Sequence, residues 1–111
     1  MSARLAAHVW VGAYLTRLRL AAIPAYVVAR GDPTAGAVAV KLATLDGRAQ
    51  LWRRMFDPMA DTRAWLRLAE GPEAEIDAQL ARERGRDPDL WVIEVEDRQG
   101  RHLLDGEGME G

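Results

Sequence analysis

The sequence predicts an α+β domain: a mostly antiparallel sheet of five to seven strands with two helices packed on one of its faces. Three observations carry this. Asp46-Gly47 separates two β-rich runs, Val38–Leu45 and Arg48–Arg53, and Asp-Gly readily supplies the positive φ angles of a tight hairpin turn. The stretch Glu73–Arg84 follows Gly71-Pro72 and precedes Gly85, punctuation that suits a helix. Leu90–Glu96 alternates Trp91, Ile93 and Val95 against Val92, Glu94 and Glu96, the period of a strand.

Taken in order, the elements read β-α-β-β-β-β-α-β-β. Leu5–Trp10 alternates weakly and is expected as a first strand. Val11, Leu15, Leu18 and Ala22 then recur at helical spacing, so a helix is expected over Val11–Ala21. One helix over Ala3–Ala22 is the rival reading. Pro24 bars helical continuation. Ala25–Arg30 is the next strand, closed by the turn at Gly31-Asp32-Pro33.

The hairpin around Asp46-Gly47 follows. A two-residue turn sets Leu42 against Leu51 as a core pair, and Lys41 against Trp52 as a cation on an indole. Phe56-Asp57-Pro58-Met59 reads as a loop and Ala64–Ala69 as a strand. In the second helix Pro72 is expected at the first helical position and Gly85 at the C-terminal cap. Glu73, Glu75 and Asp77 suit the positive end of its dipole, Arg82 and Arg84 the negative end. Asp97–Gly100 is expected to return the chain as a last strand, Arg101–Leu104.

Length and composition bound the function. The chain has 111 residues, 49% hydrophobic and 29% charged, which suits one folded domain over residues 1–104 and a flexible acidic, glycine-rich tail over 105–111. The net charge of −2 argues against binding nucleic acid through its phosphates. With no cysteine, disulfides, thiolate catalysis and iron–sulfur clusters fall away. No apolar run approaches the length of a membrane span, so a cytoplasmic address and no membrane partner are expected.

Few residues suggest chemistry. Glu94, Glu96, Asp97 and His102 crowd the C-terminal segment and would serve a metal-dependent hydrolase. The plainer reading is a solvated strand face neutralised by Arg98 and Arg101. His8 and His102 are the only histidines, and their separation carries no metal-ligand spacing. Gly31–Gly36 lacks the strand-to-helix setting and the lysine of a phosphate loop, and Ser2 is the only serine. Four tryptophans against one phenylalanine stand out. In the strand readings Trp10 and Trp52 fall opposite the aliphatic faces. Together with Trp65, Arg53 and Arg67 they form the expected interaction patch. Stacking of single-stranded bases is a weaker use of the same residues, and packing beneath a helix is the plainer one.

Three stretches together carry a family likeness: Arg4-Leu-x-x-x-Val-Trp-Val11; Val28-x-Arg-Gly-Asp32 with Gly36-Ala-Val-x-Val-Lys41; and Gly71–Arg84 running into Asp87–Asp97 and Gly100-Arg-His-x-Leu104. They resemble a family of small proteobacterial proteins known only as a domain of unknown function, over residues 4–105. The resemblance implies a free-standing bacterial α+β domain, with Phe56–Thr62 as a variable loop, and implies no activity, cofactor or catalytic residue. The reading of the whole is a non-enzymatic module without cofactor that binds a protein partner or forms a homodimer. The metal-dependent hydrolase is the alternative.

Overall fold

The computed structural model describes residues 5–57, 59 and 62–106. Helix α1 covers Ala7–Leu20, followed by strands β1 (Ala25–Ala29), β2 (Val38–Ala43), β3 (Arg48–Asp57) and β4 (Thr62–Pro72); helix α2 (Glu73–Arg86) and strand β5 (Trp91–Glu96) complete the order. The strands form one sheet, β1-β5-β2-β3-β4. All neighbours pair antiparallel except β2 with β5. The expected class holds: α+β, two helices and five mostly antiparallel strands, with the expected order kept from the first helix to the Leu90–Glu96 strand.

The helices lie on opposite faces of the sheet rather than on one. Trp10, Val11, Tyr14 and Leu18 of α1 pack on Val38, Val40, Leu42, Trp91, Ile93 and Val95. Ile76 and Leu80 of α2 pack on Ala39, Ala49, Leu51 and Val92. Side chains alternate along a strand, so a central strand covered on both sides must bury every residue, and β2 does. Such strands read as continuous apolar runs, which is why Val38–Ala43 shows little alternation. Each fully buried Leu or Ile contributes roughly 1.5–3 kcal/mol.

Both terminal strands of the expected order are absent. Residues from Ala7 onward are helical, because Ala7, Trp10, Val11, Tyr14 and Leu18 form one buried stripe. The apparent alternation in Leu5–Trp10 set apolar residues mostly against other apolar residues and so discriminated nothing. No side chain caps the helix; instead the Ala7 and His8 N–H groups donate to the Thr34 and Pro33 carbonyls at 3.0 and 2.9 Å. At the other end Ala22 takes φ 60°, and the Ile23 N–H returns to the Leu18 carbonyl at 2.9 Å, a Schellman closure.

Arg101–Leu104 is not a strand but a strap across α1. Asp97 holds its start, accepting from the Arg101 backbone N–H at 2.7 Å and from the guanidinium at 2.9 and 3.1 Å. The Tyr14 hydroxyl then donates to the His102 carbonyl at 2.7 Å, and Leu104 is buried beside α1.

The hairpin register also differs. The Thr44 N–H donates to the Arg48 carbonyl, closing a three-residue loop, Leu45-Asp46-Gly47, with Leu45 and Gly47 both at positive φ. Asp46 holds it, accepting from the Thr44 hydroxyl at 2.6 Å and the Arg48 N–H at 3.1 Å. Lys41 therefore pairs with Leu51, Leu42 with Gln50 and Val40 with Trp52. One residue of slip moves a strand's side chains to opposite faces. Leu42 and Leu51 are both buried, but on different sides of the sheet, and Lys41 does not meet Trp52.

Smaller boundaries shift as well. β3 and β4 extend to Asp57 and from Thr62, so the expected Phe56 loop is shortened; Pro58 and residues 60–61 lie outside the described residues, as does most of the 105–111 tail. Pro72 is the N-cap of α2 rather than its first residue, and Gly85 is helical, with Asp87 taking the C-cap. Arg84 explains the longer helix: its guanidinium donates to the Leu90, Arg30 and Pro88 carbonyls and ties the helix end to the following turn. Gly31 packs so closely on the Asp89 carbonyl that no Cβ fits.

Candidate functional site

Lys41, the only lysine in the chain, points from β2 toward α2 and is 4% exposed. Its ammonium lies 2.7 Å from Glu73 Oε2, 2.7 Å from Asp77 Oδ1 and 3.3 Å from Glu94 Oε1. Burial by itself pulls the ammonium pKa down, but the Asp77, Glu73 and Glu94 carboxylates more than reverse this and the pKa rises. A lysine held charged is neither nucleophile nor base near neutrality. Lys41 works as a bolt joining α2 to β5. Beside it runs an open groove of about 430 Å³ walled by Val28, Ala29, Leu80, Val92, Asp77 and Glu94.

This cluster was missed by sequence reasoning, which placed Lys41 over Trp52. Two signals pointed to it. A lone lysine sits inside an otherwise apolar strand, and Glu73 and Asp77 are four apart on a helix and so share a face.

The expected tryptophan patch is divided. Trp10 is 2% exposed and stacks between Tyr14 and Trp65, at centroid distances of 5.0 and 5.2 Å. Trp52 packs on the same core and lies 4.3 Å from the His102 ring. Arg67 pairs with Trp52 across β3 and β4 and stands near Glu70 at 3.6 Å. Arg53 reaches Glu83 of α2 at 2.6 Å, on the opposite face of the sheet. Arg54 lies about 6 Å from both Trp10 and Trp65, a stack that sequence reasoning did not single out.

The alternative residues do not converge. Glu94 faces Lys41, and Glu96 accepts from the Tyr26 hydroxyl at 3.3 Å. Asp97 is taken by Arg101; those hydrogen bonds hold its carboxyl below the usual range. His102 lies on the α1 side, where burial lowers its pKa and Asp105 partly opposes the shift. Its Nδ1 accepts from the Leu104 N–H at 3.0 Å. Among the described residues no group of three or more His, Asp or Glu is placed to hold a metal ion, and no helix is long and apolar enough to cross a membrane.

The most unusual surface is the outer edge of β1. Its Ala-Tyr-Val-Val-Ala sequence carries no charge, and Tyr26, Val27 and Val28 are 52, 37 and 59% exposed. Unpaired edges invite another strand, and proteins blunt them with charge, proline or bulges. The opposite edge, β4, is blunted: exposed Leu66 and Leu68 are interleaved with Arg63, Arg67, Glu70 and Pro72, and a bulge interrupts its register. β1 has only its shortness and one irregularity around Val28.

A family model described as "Protein of unknown function (DUF1491)" matches residues 5–105. Three similar solved structures come from Caulobacter crescentus and A. tumefaciens. The crystal structure at 1.87 Å of a DUF1491 family protein from Caulobacter crescentus CB15 is 37% identical, covers 91% of this chain and 93% of that one, and gives a TM-score of 0.80. An NMR structure of a DUF1491 family protein from Caulobacter crescentus CB15 is 36% identical, with 94% and 96% covered and a TM-score of 0.79. The solution structure of protein Atu0922 from A. tumefaciens is 33% identical, with 85% and 86% covered and a TM-score of 0.71. No curated protein matches.

Proposed function

This chain belongs to the DUF1491 family of proteins of unknown function, and from that premise we propose that it works as a non-enzymatic protein-interaction module whose docking element is the free edge of β1. One observation carries the reading: a charge-free strand with three consecutive exposed apolar residues, on a sheet whose other edge is guarded by charge. A partner strand added there would satisfy the outward backbone groups of β1 and gain apolar contacts with Tyr26, Val27 and Val28. The indoles first expected to meet a partner support this indirectly, because Trp10, Trp52 and Trp65 stiffen the body that presents the strand. The reactive groups give no competing reading, since Lys41, Glu94 and Asp97 are each engaged in an internal ion pair.

The test compares polypeptides retained by the wild-type chain and by Val27→Lys from bacterial lysate supplemented with an untagged copy of the chain, together with hydrogen exchange of Tyr26–Val28 amides. The expected result is retention by the wild type alone, with slowed exchange in the complex. Equal retention by both chains, with exchange at β1 unchanged, would overturn the proposal.

A further inference from the structure

We infer that the strand received by β1 is β1 of a second copy of this chain, run antiparallel across a two-fold axis; this rests on the reading of β1 as the docking edge. A two-fold axis sets a strand against itself, so any charged residue beside the axis meets its own like, which is destabilising. β1 presents only Ala, Tyr and Val, and its self-pairing brings no like charges together within the strand.

Both faces of the strand contribute. Tyr26 pairs with Glu94 and Val28 borders the Lys41 groove, so these two point to the α2 side. Val27 pairs with Ile93 and points to the α1 side. A copy laid antiparallel gains apolar cross-strand contacts above and below the sheet, and the joined sheet continues from five strands in one copy to five in the next. Growth ends there. The free edges of the pair are both β4, where Arg63, Arg67, Glu70 and the bulge oppose addition of a further strand. A closed dimer follows rather than a fibre. Because β1 is five residues long and irregular around Val28, the dimer is concentration-dependent rather than permanent.

Sedimentation equilibrium of the full chain, from micromolar to millimolar concentration, tests this. The mass is expected to rise from 12.3 kDa toward twice that value, with exchange of the Tyr26–Val28 amides slowing in step. Val27→Lys is expected to remain monomeric with its thermal midpoint near that of the wild type. Val28→Lys, at a more exposed position, replaces it if the first variant fails to fold. Leu66→Lys on β4 should leave the dimer intact. A wild type that stays monomeric at millimolar concentration, or a dimer indifferent to both β1 variants, overturns the inference. A monomer that still captures a partner through β1, and loses it on Val27→Lys, overturns self-pairing while leaving the docking edge standing. A monomer whose captures ignore that substitution removes both.

Discussion

Lys41 and Asp77 meet at 2.7 Å across the interface between β2 and α2, with the lysine buried and the aspartate at the rim. With Glu73 and Glu94 they place one positive charge among three negative ones. Removing the cation leaves carboxylates facing one another across the seam. Lys41→Met is expected to destabilise the fold by about 1–3 kcal/mol, below the cost for a fully enclosed pair because Glu73 and Asp77 are partly hydrated. Urea denaturation near neutral pH measures it. In the double variant Lys41→Met with Asp77→Asn, part of the loss should return.

Ala22 closes α1 with φ 60°, a conformation that costs a residue with a Cβ about 1–2 kcal/mol and glycine little. Ala22→Gly should therefore stabilise the protein, by about 1 kcal/mol after the added chain entropy of glycine in the unfolded state. A thermal midpoint that falls would show that the cap is not strained.

Gly31 lies against the Asp89 carbonyl and the Trp91 ring. The carbonyl is backbone and cannot swing aside. Gly31→Ala should cost at least about 2 kcal/mol, in the range of overpacking, and change the chemical shift of the Trp91 indole signal, or broaden it, in heteronuclear NMR spectra.

His102 gives the fold an acid-sensitive point. Its Nδ1 accepts a hydrogen bond from the Leu104 N–H and so must be unprotonated there. Burial lowers its folded pKa below the unfolded value of 6.5, with Asp105 opposing. A depressed folded pKa means stability that is full above the unfolded pKa and lost as pH falls through the folded one. Stability should decline below about pH 6.5, and exchange at Leu104 should quicken first. His102→Gln should flatten this window. Asp97, whose pKa is also lowered, chiefly by its bond to Arg101, should act only below about pH 4.

Much of the fold was legible because local chemistry dictates it. Pro24 and Gly31 bound β1, Asp46-Gly47 turns the hairpin, and the acidic start and basic end of α2 suit its dipole. The strand face shared by Trp91, Ile93 and Val95 was read correctly. The N-terminal helix was misread at its start because its cap is not local: the Thr34 and Pro33 carbonyls receive its N–H groups from another part of the chain. The expected last strand failed for a related reason, since side-chain bonds from Tyr14 and to Asp97, rather than a backbone ladder, hold Arg101–Leu104.

The sequence alone determined the class, the number of helices and the course of the central strands, because period and turn chemistry act over a few residues. Only tertiary structure decided which side of the sheet each helix covers, which edge stays open and what Lys41 meets. The first two depend on strand order and on the crossovers between strands, which no local pattern fixes; what Lys41 meets across the hairpin turned on whether Asp46 closes a loop of two residues or three. That one residue carried Lys41 away from Trp52, while the pairing of β2 with β5 and the packing of α2 set it among the carboxylates.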